Sequence, residues 1–303
     1  MLHIHTPIEF EKIVDVDWAG AVQLTRERMS IQQLLDARDN IPLLITRLIK
    51  YSKSFEQLFS HIKQRQWIPL LKQPSFTWSI DGSIVSSTAW NFEKNNIHIA
   101  LADIYMQEGY KKIDEQQYKE ASQSFKQSSH HFTFANISLE SWKWKLPSEN
   151  THIVQSKWQK AQNEKLKCLQ HLCTIGVGIG KNSSDKTLYI LTQRATKCAA
   201  LEQVYYPSDP SLLHICETLR YFYSSNIQWN KEEYGTSIDT LQRWVRPKHT
   251  KFQIINEEFD KLELLLAERK MTNNNIYFEQ VKPSQSLPSL CEIIESEDDI
   301  SHP

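Results

Sequence analysis

Glycine is scarce in this sequence, with only 7 in 303 residues. Sheets built on tight strand turns, and sites built on several glycine-rich phosphate-binding loops, use more glycine than this. The frequent Gln, Lys, Glu and Leu residues are good helix formers instead. The composition therefore predicts a mostly helical protein, and the length suffices to bury a sizeable core in one large domain or two small ones.

An excess of charge of either sign is also missing. The chain has 35 Lys and Arg against 36 Asp and Glu, a net charge of -1 and an isoelectric point near 6.8. A general nucleic-acid binder needs surplus cations to neutralise phosphates. The charge balance therefore argues against that class of function.

Long apolar runs and a disulfide pattern are missing as well. No run approaches the roughly 20 apolar residues that cross a bilayer, the first residues lack a signal-peptide pattern, and the last residues carry no prenylation box. The number of cysteines is odd, and their spacing matches no disulfide framework. These features predict a cytoplasmic protein in a reducing compartment. The cysteines are Cys168, Cys173, Cys198, Cys216 and Cys291.

Helical periodicity is the strongest positive signal. Near the C-terminal end, apolar residues recur at steps of three and four and charged residues fill the positions between, which predicts an amphipathic helix. Residues 100–132 alternate small and aromatic side chains and predict a helical hairpin of the tetratricopeptide type. Because this unit does not repeat at a fixed period, we expect one irregular solenoid of antiparallel helices. The apolar positions of the amphipathic helix are Phe252, Ile255, Phe259, Leu262 and Leu266.

Strand signals are confined to two short stretches. Ser75–Ile84 holds the only plausible hairpin sequence, with Asp81 and Gly82 as its turn residues. Leu2–His5 is predicted as a further short strand.

The run Ile175–Ser183 is the one stretch that resembles an active-site loop, and it holds three of the seven glycines. A phosphate-binding P-loop needs Gly, four residues, then Gly-Lys-Ser/Thr. Here Ile175 replaces the first glycine, and Asn182 replaces the hydroxyl residue that binds Mg²⁺. We interpret the run as a flexible linker between two helices, with Gly176 as a C-cap. An enzyme that uses the Gly176–Lys181 loop is the alternative hypothesis.

Patterns for metal binding and catalysis are weak. On a helix Cys168 and His171 would share a face while Cys173 would not, and no second ligand pair follows at zinc spacing. His130 and His131 are adjacent and would diverge by about 100° on a helix. No Ser-His-Asp, HExxH or paired-carboxylate signature stands out. We therefore expect a non-enzymatic protein without a cofactor or a metal.

Several short motifs follow one another in the order typical of one known family. A Phe-x-Trp segment precedes a helix that begins with Phe-Glu-Lys. A small-residue hairpin, a Tyr-Gly-x-x-Ile-x-x-Leu-Gln helix and an Asn-Ile-Tyr ending with a later Leu-Pro come after it. This ordered set resembles the Bro-one (BRO) domain. The matching stretches are Phe76–Trp78, Ala89–Lys94, Ile97–Tyr105, Tyr118–Ser129, Glu233–Gln242, Asn273–Pro283 and Leu287–Pro288.

The resemblance implies a mainly all-α fold. Bro-one domains are curved, boomerang-like helical solenoids with a tetratricopeptide-like core, to which this sequence adds a short β-hairpin in its N-terminal third. We expect one such domain over residues 1–290 and an acidic tail over 291–303 that is disordered. Because no coiled V-shaped domain, proline-rich tail or prenylation box follows, the chain looks most similar to the stand-alone, PalC-like branch of the family.

The resemblance also implies a function without catalysis. The chain is expected to be a cytoplasmic adaptor that binds the amphipathic C-terminal helix of an ESCRT-III subunit. Such an adaptor would act in endosomal sorting or ambient-pH signalling, recruited to endosomal or cortical membrane through its partners. A tetratricopeptide-like interaction scaffold with a different partner is the alternative.

A shallow apolar groove would accept the partner helix. In the family it lies between two helices that correspond here to Val154–Leu172 and Asp185–Tyr205. Its expected residues in this chain are Leu166, Leu188 and Leu191, for which packing in the core is an equally open alternative.

A structural strap is expected at the C-terminal end. By the resemblance, Asn273–Pro283 would return along the helical body as an extended segment. Ile276 would then be buried and Tyr277 would lie close to the surface, with Pro283 at the end of the strap. The asparagine-rich run before it is a poor helix former, which supports a break in the helix there.

Overall fold

The computed structural model describes most of the chain as helix, with one small sheet. The described residues are 2–4, 8–13, 19–37, 40–64, 74–80, 83–141, 156–207, 209–247 and 250–281. The helices are α1 (Ala19–Ala37), α2 (Ile41–Gln64), α3 (Trp90–Asp114), α4 (Tyr118–Ser141), α5 (Ser156–Gly180), α6 (Asp185–Tyr205), α7 (Ser211–Asn230), α8 (Tyr234–Gln242) and α9 (Gln253–Thr272). The strands are β1 (Leu2–Ile4), β2 (Phe76–Ile80) and β3 (Ser83–Ser87), with a 3-10 turn at Phe10–Lys12 and a π-helical turn at Asn273–Tyr277. The predicted mainly all-α fold is confirmed.

The chain forms two compact units. The first comprises Met1–Tyr105 and Gln127–Lys160, and the second comprises Met106–Lys126 and Ala161–Pro303. Helices α3 and α4 therefore contribute to both units. The expected single domain over residues 1–290 stays a prediction, and the expected acidic tail at 291–303 lies outside the described residues.

The first unit contains a three-stranded antiparallel sheet in the order β1-β2-β3. Leu2 of β1 lies opposite Ile80 of β2, and Ile80 in turn lies opposite Ser83 of β3. The predicted hairpin and the predicted N-terminal strand are therefore both present. The expected turn residues, Asp81 and Gly82, lie outside the described residues.

Aromatic rings fill the core of the first unit. Trp90 at the start of α3 lies 5.5 Å from Phe76 of β2 and 5.6 Å from Phe55 of α2, measured between ring centroids. Phe10 of the 3-10 turn joins them, 6.3 Å from the ring of Phe55. Each such pair contributes about 0.5–1.5 kcal/mol beyond its buried area. These rings fix the sheet against α2 and α3.

One buried carboxylate connects four elements of the first unit. Glu93 of α3 is 0% exposed and accepts hydrogen bonds from Arg28 Nε of α1 at 2.8 Å and from Tyr51 Oη of α2 at 2.8 Å. Trp78 of β2 donates its indole N–H to the second carboxylate oxygen at 2.6 Å. A buried charge needs this degree of pairing, because an unpaired carboxylate would cost far more than its hydrogen bonds return.

Close approach of helices explains the glycines of α5, and it overturns the flexible-linker interpretation. Helix α5 continues through Gly176 and Gly178 and ends at Gly180. A side chain at Gly178 would come within 2.7 Å of Leu188 of α6, and one at Gly176 within 3.3 Å of Tyr118 of α4. The glycines therefore admit neighbouring side chains. The prediction of a loop with Gly176 as a C-cap is wrong.

The C-terminal described segment also differs from its prediction. Residues Asn273–Tyr277 prolong α9 as a π-helical turn, so an extended strap does not begin at Asn273. Ile276 is 63% exposed, and the expectation that it is buried is wrong. The buried residue is Asn273, whose amide donates to Glu279 O at 2.7 Å and accepts from Glu279 N at 3.2 Å. Tyr277 is 43% exposed, and Pro283 lies outside the described residues.

Candidate partner-binding cavity

The leucines expected to line a groove do not form one. Leu166 and Leu188 are 0% and 4% exposed, and only Leu191 is partly exposed. Leu188 fills the space that the missing side chain of Gly178 leaves, and this contact closes α6 onto α5. The expectation that Leu166 and Leu188 line an open groove is therefore wrong, because both belong to the core of the second unit.

Helix α6 nevertheless presents a distinctive outer face. Ile190 is 43% exposed and Val204 is 67% exposed, so apolar side chains reach solvent along this helix. Three cations, Lys186, Arg194 and Lys197, lie on α6, and no acidic residue occurs from 186 to 201. The face combines exposed apolar positions with positive charge.

An open cavity of about 280 Å³ lies in the second unit. It is lined by a different part of α5 from the one that contacts Leu188. Its walls come from α3, α5, α6, α7 and the segment before α9, which are distant from one another in the sequence. The lining residues are Tyr110, Lys165, Leu169, Glu202, Asp209, Ser211, Leu212, Ile215, Thr250, Lys251 and Phe252.

The apolar floor of the cavity is set by helix spacing. Leu212 and Ile215 are three residues apart on α7 and share one face, while Leu169 comes from α5. Phe252 precedes α9, where its ring stacks on Tyr118 with the centroids 6.0 Å apart. Ile215 and Leu169 are almost fully buried, whereas Leu212 is partly exposed. Leu212 is therefore the floor residue that an incoming group can reach.

Hydrogen bonds hold the segment that carries Thr250 and Phe252. The amide of Phe252 donates to Thr250 Oγ1 at 2.8 Å, and the amide of Thr250 donates to Asn256 Oδ1 at 3.0 Å. These bonds satisfy backbone amides of the segment that leads into α9. The wall of the cavity is thus fixed before any partner binds.

Charged and polar groups surround this floor. Lys251 Nζ lies 4.9 Å from the centroid of the Tyr110 ring, a cation–π distance. Burial, and next the carboxylate of Glu202, raises the pKa of Tyr110 to about 12, so its hydroxyl stays neutral at physiological pH. Asp209 accepts from the amide of Ser211 at 3.1 Å, just before α7. Lys165 and the buried carboxylate of Glu202 complete the charged part of the lining.

The arrangement is that of a binding pocket. The cavity has an apolar floor with a few charged and polar groups around it, which is the usual composition of ligand pockets. Within the described ranges, no group of three or more His, Cys, Asp and Glu residues could hold a metal ion. Cys168, one of the residues considered for metal binding, instead lies 3.6 Å from Cys216, measured between the sulfur atoms.

No helix among the described residues is both long and apolar enough to cross a membrane.

Comparisons with known proteins identify the fold. No model of a protein family and no curated protein sequence matches this chain. A structure of ALIX in complex with the SIVmac239 PYKEVTEDL late domain matches with a TM-score of 0.73 and 13% identity over 96% of this chain. This chain spans 46% of that ALIX chain, which is about half its length.

Two single-domain structures match over most of their own length. The ALIX BRO1–CHMP4C complex gives a TM-score of 0.71 at 14% identity and covers 96% of this chain and 91% of that one. The Bro1 domain described for endosomal targeting gives a TM-score of 0.66 at 12% identity, with 99% and 95% covered. Identities this low establish the fold alone. The chain therefore has the fold of the Bro1 domain, the Bro-one domain to which the sequence motifs point.

Proposed function

We propose that this chain is a non-enzymatic adaptor that binds an amphipathic helix of an ESCRT-III subunit. The observation that supports it most is the apolar cavity of about 280 Å³ on a Bro1 fold, bordered by Lys165 and Lys251. ALIX, whose BRO1 domain shares this fold, has been solved in complex with CHMP4C. In this chain the partner helix would place an apolar residue into the cavity.

The open mouth of the cavity, together with its modest size, favours the side chain of a partner over an enclosed ligand. Pockets for drug-sized ligands and cofactors have volumes of about 300–1,000 Å³ and enclose most of their occupant. A cavity of about 280 Å³ with an open mouth takes the anchor side chains of a helix that lies across it. This is the helix-in-groove mode, with anchors at steps of three and four residues.

The charges of the lining predict how the partner would be oriented. The lysines Lys165 and Lys251 line the cavity together with the carboxylates of Glu202 and Asp209, so the lining carries both signs of charge. A helix with an acidic residue near the lysines and a basic residue near the carboxylates would complement them, and complementary charge fixes orientation.

Binding of a single helix in a groove also predicts the affinity, and the partner predicts where in the cell the chain acts. A single short helix buries a modest area, so the dissociation constant should be on the order of micromolar. Recruitment to endosomal or cortical membrane would occur through the partner, in sorting or in ambient-pH signalling of the PalC-like kind.

The decisive experiment measures binding of an ESCRT-III C-terminal peptide to the full chain by calorimetry. Leu212→Asp puts a carboxylate on the reachable part of the floor, where its desolvation costs about 1–3 kcal/mol or more. We expect at least a tenfold loss of affinity, since each 1.4 kcal/mol is about tenfold. Leu264→Asp is the matched control, because Leu264 is 74% exposed on α9 and not part of the cavity.

A third variant separates the two candidate surfaces. Leu191→Asp alters a partly exposed position on α6. Loss of binding in this variant alone would move the site to the face of α6 that carries Leu191. If the folded wild-type chain binds no ESCRT-III peptide at about 1 mM, which corresponds to about 4 kcal/mol, the adaptor proposal is wrong and the scaffold alternative with a different partner gains.

A further inference from the structure

Two histidines of the first unit face each other across neighbouring helices. The Nδ1 atom of His98 on α3 lies 3.1 Å from the Nδ1 atom of His131 on α4. His98 is 8% exposed, and its other ring nitrogen, Nε2, has no hydrogen-bond partner among the described residues. The sequence alone drew attention to His130 and His131, whereas the partner of His131 is on another helix.

This contact depends on the protonation of both rings. A neutral imidazole has one N–H and one bare nitrogen, so two facing Nδ1 atoms form a hydrogen bond when one carries a proton and the other does not. If both imidazoles become cationic, every ring nitrogen carries a proton, and two donors and two positive charges face each other at 3.1 Å. Protonation of both rings therefore converts an attraction into a repulsion.

The side chains around His98 and His131 provide little stabilisation for two positively charged rings. Phe134 stacks on His98 with centroids 5.5 Å apart, and Tyr105 stacks on His131 at 5.7 Å, so aromatic rings replace water on both imidazoles. Phe134 is 45% exposed, and it also meets the edge of the His130 ring, with the centroids 4.6 Å apart. Desolvation of this kind disfavours the charged form of histidine.

The nearby charges act in the same direction. Lys94 precedes His98 by one helical turn, and His130 adjoins His131. The carboxylate of Glu56 on α2 is engaged by Lys94 Nζ at 2.7 Å. Burial, then the neighbouring His131, Lys94 and His130, lowers the pKa of His98 to about 3, and burial followed by His130 lowers that of His131 to about 4.

We propose that His98 and His131 form an acid-sensitive joint between α3 and α4 in the first unit. The joint is closed while the facing nitrogens share one proton, and it opens when both rings become cationic. In the opened state each histidine returns to its ordinary pKa of about 6.5 and binds a proton that the closed state excludes. The closed contact between α3 and α4 is therefore fully stabilised above pH 6.5, and this stabilisation is lost as the pH falls toward 4.

The number of protons bound on opening determines how strongly the opening equilibrium depends on pH. Each proton taken up on opening raises the equilibrium constant for opening about tenfold per pH unit, so two histidines raise it up to about 100-fold per unit. Ordinary Asp and Glu side chains titrate near pH 4, below this window. The pH dependence between 6 and 5 therefore reports on the histidines.

Hydrogen exchange of the full chain at pH 7, 6 and 5, corrected for intrinsic rates, tests the joint. Amides of α3 near His98 and of α4 near His131 should open at least tenfold more often at pH 5 than at pH 6. The variant His98→Gln/His131→Gln keeps hydrogen-bonding groups that do not titrate, and it should abolish this pH dependence. His130→Gln is the matched control on the exposed neighbour and should retain it.

A measurement on the wild-type protein keeps the test valid if the double variant does not fold. NMR titration of the ring protons should find both histidines neutral at pH 5.5 in the closed protein. Two rings that titrate near pH 6.5 without any loss of amide protection would overturn the joint, as would an unchanged pH dependence in a folded double variant.

Discussion

Gly235, at the start of α8, lies directly against the backbone carbonyl oxygen of Gln280, and no side chain fits between them. The amide of Gly235 also donates to the Glu279 carboxylate at 2.8 Å. The segment after α9 that contains Glu279 and Gln280 therefore packs against α8, and only glycine at position 235 permits this contact.

Gly235→Ala should destabilise the second unit. A Cβ would overlap a backbone oxygen, which cannot rotate away as a side chain does, and such overpacking costs about 1–3 kcal/mol. The measurement is the free energy of unfolding in urea. Gly180→Ala is the control, because a Cβ there would be 3.7 Å from Ile254, an ordinary contact. Equal stability of the two variants would show that Gly235 and the backbone of Gln280 are not in close contact.

Glu93→Gln should be the most damaging polar substitution in the first unit. It removes the negative charge beside Arg28, which is 0% exposed, and breaking such a buried pair costs about 3–5 kcal/mol. Glu115→Gln is the comparison, since it removes a surface pair with Lys112 that contributes at most about 1 kcal/mol. Denaturant midpoints of the two variants should differ clearly. Similar midpoints would mean that Glu93 does not carry its charge in the folded protein.

Truncation after Thr272 should destabilise the chain by about 2–4 kcal/mol. It deletes the hydrogen bonds between Asn273 and Glu279 and the ring of Tyr277, which stacks on Tyr234 with centroids 3.7 Å apart. Truncation after Leu290 is the control and should melt like the full chain. If both truncations melt alike, the segment after α9 adds no stability.

The thiols described in the second unit should react slowly while the protein is folded. Burial raises the pKa of Cys173 to about 12 and also raises that of Cys198, while the hydrogen bond with Cys216 raises that of Cys168. Only the thiolate attacks iodoacetamide, and its fraction falls about tenfold for each unit by which the pKa exceeds the pH. In a Cys291→Ser chain at pH 8, alkylation should be at least about 100-fold slower than in guanidinium, where all thiols react. Native Cys198 labelled at the rate of an unfolded thiol would contradict this.

The bounds of α6, Asp185–Tyr205, agree with those that the family resemblance implied. In the structure Ser184 caps the start of this helix by accepting from the Thr187 amide. The resemblance ended the preceding helix at Leu172, whereas α5 continues to Gly180. Glycine lowers helix propensity, but its contacts with Tyr118 and Leu188 outweigh that cost, and these contacts are visible only in three dimensions.

For the candidate site, too, the sequence predicts which residues are apolar but not which of them the fold brings together. Periodicity marks Phe252 as an apolar position of the amphipathic stripe, yet it cannot say that this ring borders an opening. Leu166 and Leu169 are both apolar positions of α5 and both almost fully buried, but only Leu169 lines the cavity. The difference depends on α7, whose Leu212 and Ile215 are far away in the sequence.

The sheet of the first unit has a consequence for the order of folding. Strands β2 and β3 adjoin in the chain and can pair on the timescale of a β-hairpin, about 1–10 μs. Strand β1 must instead bring Leu2 beside Ile80, and closing so long a loop costs more entropy and takes longer. The β2–β3 hairpin should therefore acquire amide protection first in a refolding experiment, and the β1 edge last.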